Sequence, residues 1–297
     1  MAKGKTVRAY HPVESGYEEL KREVKNGHFT PDMLKLLGYL YQESLTYLNG
    51  FPRIQLNSNV PGKRYIAYQG NGSISRAINE ELYQPSYPDW ETFRNLLQPG
   101  ADLTGHIDPT AITRILYCMA ISFCAAIGLL KEKDQQTPGT YFQHFIATFF
   151  SWRVGVEPES FIKVQDLDQG STVLPTDFVF NLGKNKRKFH MPIKTSSRER
   201  AVMLWAHQRL LDGVFGIEQF MGTPVLLAET KKNSKTGLVD EICLPEQWKL
   251  YQLYIARLKR IYYLDLPKPY EKLNEKFPPL IVKPFGDFFF EWDAITP

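Results

Sequence analysis

From Ile115 to Leu130 the chain reads ILYCMAISFCAAIGLL, with no charged side chain inside it and Arg114 and Lys131 at its edges. A run like this has to leave water, either into lipid or into the middle of a folded domain. It is shorter than the roughly 20 residues that a membrane span needs, so a buried core helix is expected. A chain of 297 residues can bury a sizeable core, as one large domain or two closely packed ones.

Composition excludes more than it selects. A formal net charge of +4 is too mild to mark a nucleic-acid binder, so local clustering has to decide. Cys118, Cys124 and Cys243 are odd in number and lack paired metal-ligand spacing; they read as buried or incidental thiols in a reducing, cytoplasmic setting. The opening MAKGKTVRAYHPVE is basic without an apolar core behind it, unlike a secretory signal, and no membrane partner is expected. There is no GxxxxGK loop, hence no nucleotide cofactor is expected, and no GxSxG of a serine hydrolase.

Residues 1–136 read as a helical and loop-rich part, available for DNA contacts or dimerisation. Pro31 opens a helical pattern of Met33, Leu36, Leu37, Leu40 and Tyr41, and Phe51 to Gly72 is broken by Pro, Gly and Asn into turns. Residues 137–297 read as a second part packed against it. There, Tyr141 to Arg153 suggests a helix, and Val173–Leu182, a turn at Gly183–Lys188 and Phe189–Lys194 suggest a β-hairpin. Ser196 or Ser197 can cap a helix starting near Arg198, with an inward stripe of Val202, Trp205, Ala206 and Leu210. A strand at Thr223–Glu229 and a long last helix, Pro245–Leu264, complete the expected order.

The hairpin carries the chemistry. Asp177 and Lys194 each end a strand, and antiparallel pairing can bring them together at one rim of a sheet. A carboxylate that holds a divalent cation and a lysine beside the developing charge are what phosphodiester hydrolysis needs. Arg198, Glu199 and Arg200 follow at once. Arginine can donate twice to guanine, and glutamate can accept from cytosine, so the triplet suits consecutive G·C pairs. Lys184, Lys186, Arg187 and Lys188 form the densest basic cluster and, with Ser196 and Ser197, suit phosphate contacts.

Asp177, a strand-ending Lys194 and the Lys-x-x-x-Arg-Glu-Arg run resemble type II restriction endonucleases of the PD-(D/E)XK superfamily, in particular those that recognise CCGG or CCNGG sites. The resemblance covers about the second half of the chain. It implies an α/β (α+β) fold in which helices flank a central mixed β-sheet, with a largely helical N-terminal part. It further implies a homodimer in a prokaryotic cytoplasm that cuts double-stranded DNA at a short palindrome using Mg2+, with Mn2+ expected to substitute. Asp177 and Lys194 would be catalytic, and Asp177 and the Ile193 backbone carbonyl would hold the metal.

The sequence departs from the family pattern at several points. Pro192 stands where the generic motif has an acid, and His207 and Gln208 stand where CCGG-type relatives carry a glutamate. Gln208 is the isosteric replacement and is taken as catalytic, with Gln208 or His207 as the further metal ligand. Gln143 and His144 occupy the place of an early-helix glutamate, leaving Glu157, Glu159 and Glu229 as candidates for the lost charge. Two other readings stay open: a structure-selective repair nuclease, and an inactive sequence-specific DNA-binding protein on the same core.

Overall fold

The computed structural model describes residues 11–29, 31–70, 72–98, 101–165, 170–184, 186–233 and 235–291. Pro12 and Pro31 open α1 (Pro12–Lys25) and α2 (Pro31–Leu48), where a missing amide breaks no helical bond. A small antiparallel sheet follows, of β1 (Arg53–Leu56), β2 (Tyr65–Tyr68) and β3 (Ile78–Asn79). Only turns were expected here. Proline and glycine in fact fall outside the strands, at Pro52, Pro61-Gly62, Gly70 and Gly72, while the YIAY run is buried throughout its length.

After α3 (Tyr87–Leu96) comes α4 (Pro109–Leu130), which contains the apolar run. By length and composition α4 is suited to cross a membrane, yet Ile115 through Ile127 is buried inside the protein, as expected for a core helix. It packs against α1, α2, α5 (Gln136–Val154) and the turn Phe285–Phe289. Gly286 permits that last contact: a Cβ there would lie 1.8 Å from the Pro109 carbonyl oxygen, and its N–H donates to Thr113 Oγ1 at 2.9 Å.

The remaining elements are β4 (Pro158–Gln165), β5 (Ser171–Asn181), β6 (Lys188–Met191), β7 (Ile193–Lys194), α6 (Val202–Phe215), β8 (Phe220–Gly222), β9 (Val225–Leu226), β10 (Thr230–Lys232), β11 (Val239–Glu241), α7 (Pro245–Tyr254), β12 (Ile261–Tyr263), α8 (Lys268–Lys276) and β13 (Val282–Pro284). The strands form orders β4-β5-β6-β8 and β13-β12-β9-β7. These are two parts of one sheet. Pro192 divides β6 from β7, Thr223-Pro224 divides β8 from β9, and bonds from Thr223 N to His190 O and from Val225 N to Pro192 O, both 2.9 Å, carry the pairing across both gaps. Antiparallel β4-β5-β6 thus continues into parallel neighbours, which makes the sheet mixed.

One face, with Phe178, Phe180, Phe189, Met191 and Ile193, joins an apolar core that runs from Val13 to Phe289 and includes both halves of the chain. The other face meets α6, α7 and α8 through Leu204, Trp205, Trp248, Tyr263 and Tyr270, with Trp248 and Tyr270 stacked at 3.9 Å. A central mixed sheet flanked by helices is therefore present.

Several local expectations are corrected. The last long helix stops at Tyr254, because IYYL enters the sheet as the buried strand β12. β4 was not anticipated. The buried residues of α6 are Leu204, Trp205, Gln208 and Leu211, whereas Leu210 is exposed. That helix begins at Val202 and not near Arg198: Arg198–Arg200 forms a 3-10 turn, and neither Ser196 nor Ser197 caps it.

A buried ionic cluster ties the small sheet to the large one. Lys63 Nζ lies 2.6 Å from Glu241 and 2.7 Å from Asp265, and Asn79 Nδ2 donates to the same Asp265 oxygen at 3.0 Å. Burial alone would lower the Lys63 pKa, but the two carboxylates outweigh it and raise it.

Candidate active site

Lys194 ends β7 as expected, whereas Asp177 lies inside β5 and does not end it, because the apolar residues Phe178–Phe180 continue the strand; register brings the two together. β5 pairs with β6 as Phe178 with Met191 and Val179 with His190, so Asp177 falls opposite Pro192, and Lys194, two residues further, shares its face. Lys194 Nζ is 2.7 Å from Asp177 Oδ2 and donates to Oδ1 at 3.0 Å. The same carboxylate accepts the Ile193 N–H at 2.8 Å and Gln143 Nε2 at 2.7 Å. Gln143, at the place of the missing helix glutamate, thus supports the acid from α5.

The break at Pro192 orients this arrangement. Carbonyls of Pro192 and Lys194 bond towards β9, so the alternation of the ladder turns the Ile193 N–H and C=O to the opposite edge, where Asp177 waits. An acid at position 192 would face Asp177 directly; proline puts no second charge there.

Thr176, Asp177, Pro192, Lys194, Met203, Leu204 and His207 line a hollow of about 170 Å3. His207 reaches it from α6. Gln208 does not: one residue later on a helix lies about 100° around the axis, and its Nε2 is spent on Asp212 Oδ1 and the Phe220 carbonyl, both at 2.8 Å. Beside His207, with ring centroids 6.1 Å apart, the buried His190 is pushed down to about 3 by desolvation, helped by His207 and Lys194. Glu157 and Glu159 are exposed and do not line the hollow.

Among the described residues no group of three or more His, Cys, Asp or Glu converges as a closed metal cage. The donors present are the Asp177 carboxylate, the Ile193 carbonyl and the His207 ring. One carboxylate with carbonyl oxygen fits a hard divalent ion that keeps most of its waters and takes phosphate oxygens, as Mg2+ does.

Downstream, Thr195 N–C=O still follows the sheet, with Ala228 N donating to Thr195 O at 3.2 Å, and the Arg198–Arg200 turn begins directly afterwards. Arg198 Nε donates to Ser196 Oγ at 2.8 Å, Arg200 is exposed, and the Glu199 side chain lies outside the described residues. The basic turn stands elsewhere: about 20 Å of extended strand separates Asp177 from the hairpin tip. There Lys184 and Lys186 are exposed, Arg187 pairs with Glu218 at 3.0 Å, and Lys188 Nζ lies 5.6 Å from the Phe220 ring centre.

Glu229 is wholly buried, and its oxygens accept the Ser197 N–H at 3.0 and 3.1 Å, Ser197 Oγ at 2.5 Å, the Arg198 N–H at 2.9 Å and the Tyr263 hydroxyl at 2.8 Å. It does not supply charge to the hollow. Sequence reasoning missed this role, although a lone acid closing the apolar run PVLLAE signals a buried charge that needs donors.

Aligned on its backbone, the chain matches the crystal structure of the Type IIP restriction endonuclease Kpn2I with a TM-score of 0.79 at 23% identity, covering 96% of this chain and 97% of that one. The fold is restriction-endonuclease-like. A second structure, restriction endonuclease PspGI with substrate DNA, aligns at a TM-score of 0.42 and 12% identity over 96% of this chain and 92% of that one. No protein-family model matches the sequence, and no curated protein matches it.

In this restriction-endonuclease-like fold the acid, the lysine and the hollow sit where the β5-β6 hairpin edge meets α5 and α6.

Proposed function

We propose that this chain is a Mg2+-dependent, site-specific double-strand DNA endonuclease, acting as a homodimer on a short palindromic, G·C-containing site of the CCGG type. The observation that carries this reading is the Asp177–Lys194 pair, 2.7 Å apart, with Lys194 on the strand that leads into the Arg198–Arg200 turn. Kpn2I, whose fold the chain shares, is a Type IIP restriction endonuclease, which supports the reading.

Asp177 and the Ile193 carbonyl would hold the cation, with His207 projecting into the same hollow. Bound there, Mg2+ would supply neutralisation of the phosphate and a more acidic attacking water. Lys194, held on Asp177 in this structure, would place its ammonium group beside the attacked phosphate. Gln143 and the Ile193 N–H hold the carboxylate in place. Gln208 packs behind His207 in this reading. Arg198, Glu199 and Arg200 read base edges, while Ser196, Lys184, Lys186, Arg187 and Lys188 contact the backbone; Ser197, expected from the sequence to join them, is buried with its N–H and hydroxyl both on Glu229 and does not. A two-fold palindrome asks for a two-fold protein.

One observation favours a second reading, an inactive DNA-binding protein: among the described residues a single carboxylate lines the hollow, and it is already paired with Lys194. Digestion of a plasmid of known sequence with Mg2+ or Mn2+, followed by sequencing of the ends, decides between them. Cuts at one short palindrome support the proposal. Specific binding without cleavage supports the second reading, and cuts confined to forks or ends point to a structure-selective nuclease.

A further inference from the structure

Arg198 has φ +40°, in the left-handed region that a side chain disfavours. Something must hold it there, and the turn's own bonds are few. Arg200 N donates to Ser197 O at 3.0 Å and Ala201 N to Arg198 O at 3.3 Å, both within the turn. The tie to the rest of the protein is Glu229. Its carboxylate takes both backbone N–H groups at the entry, Ser197 and Arg198, together with the Ser197 hydroxyl.

The carboxylate is itself supported from two sides. Its backbone follows β9, whose extension bonds to Lys194 and Thr195, and its carbonyl accepts the Ile242 N–H at 3.0 Å. Tyr263, on β12, donates from the far side. Burial raises the Glu229 pKa, while the Ser197, Arg198 and Tyr263 bonds accompany it in the folded state. Among the described residues, every donor to this deeply buried carboxylate comes from the entry to the turn or from Tyr263 on the neighbouring strand.

We infer that Glu229 is a positioning residue for base reading: it fixes the Ser197–Arg198 backbone to the sheet and so sets the direction in which Arg198 and Arg200 leave it. This rests on the proposed role of the Arg198–Arg200 turn in DNA recognition. An amide cannot replace the carboxylate, because its NH2 group would face N–H donors.

The test compares wild type with Glu229→Gln and Tyr263→Phe. The first readout, on protein alone, is the rate of trypsin cleavage after Arg198 and Arg200. The second is discrimination, measured as binding without divalent metal to the duplex that wild type prefers against the same duplex with one G·C pair changed to A·T. Losing charge-assisted bonds at the turn should, in Glu229→Gln, speed trypsin cleavage and reduce discrimination by about 10-fold each. Tyr263→Phe, which leaves the apolar ring in place, should show smaller shifts in the same direction, and it carries the test if Glu229→Gln does not fold. A lowered melting temperature with both readouts unchanged would mean a purely structural acid and overturn the inference. A wild type without sequence discrimination overturns the proposed function and the base-reading part with it, while the trypsin rates still decide whether Glu229 fixes the turn.

Discussion

Gln143 Nε2 donates to Asp177 Oδ1 at 2.7 Å, joining the helix α5 to the acid of the hairpin at the point where Lys194 also arrives. The acid is thus gripped by a lysine, a neutral amide and a peptide N–H. Its environment is built for a single negative charge.

Removing either member of the ion pair should separate binding from hydrolysis. Lys194→Ala and Asp177→Asn are expected to lower the proposed Mg2+-dependent cleavage by roughly 100-fold or more, with the proposed sequence-specific binding retained in a gel-shift assay. Cleavage at the wild-type rate by either variant would remove that residue from the chemistry.

A second carboxylate beside Asp177 should convert the site from lysine-neutralised to metal-seeking. Gln143→Glu is expected to lower the melting temperature in EDTA through like-charge repulsion, and to regain it in Mg2+ or Mn2+ with about 10-fold tighter metal binding by calorimetry. Identical melting curves with and without metal would contradict this.

Two histidines, His190 buried and His144 half-buried, should make the protein sensitive to acid. Burial first, then Lys21, pushes His144 down to about 4, and burial, then His207 and Lys194, pushes His190 to about 3, against an ordinary value of 6.5. Between these values the unfolded chain binds protons that the folded one refuses. The stabilisation is therefore complete above pH 6.5 and is lost as pH falls towards 4 and 3, by about 1.4 kcal/mol per pH unit for each histidine. Glu229 and Asp265, raised by burial, slope the other way, so the histidine part is read by difference. In urea denaturation at pH 7 and pH 5, the His144→Phe, His190→Phe double variant should lose less stability than wild type.

The Lys63 cluster should be expensive to break from one side. Lys63→Met leaves Glu241 and Asp265 facing each other without a cation, and a loss of about 3–5 kcal/mol is expected in chemical denaturation. A change within error would mean that water reaches both acids.

Gly286→Ala tests the closest approach in the core. The new methyl has no room beside the Pro109 carbonyl, so α4 must shift, with destabilisation of about 1–3 kcal/mol read as a lower melting temperature.

How much of this was legible in the sequence follows from how local each signal is. The run from Ile115 to Leu130 announces its own burial, and Asp177 and Lys194 meet because both strands and their turn are contiguous. β12 was hidden because Ile261–Tyr263 follows α7 closely and its aromatic residues fit a helical stripe as well as a strand. Whether His207 or Gln208 reached the hollow depended on the exact phase of α6, which in turn depends on where the Arg198–Arg200 turn ends. Glu229 lies thirty or so residues from the turn it holds, and only the parallel pairing of β7 with β9 makes them neighbours.

Lys194 belongs to a strand of the sheet, and the Arg198 turn is pinned to the next strand over. The short link between them, Thr195 to Ser197, therefore works as a gauge block and not as a tether. In a protein that cuts where it reads, the offset between the broken bond and the recognised bases would be written into those three residues. Changing the recognised bases by altering side chains would leave that offset intact, whereas inserting a residue would move the cut.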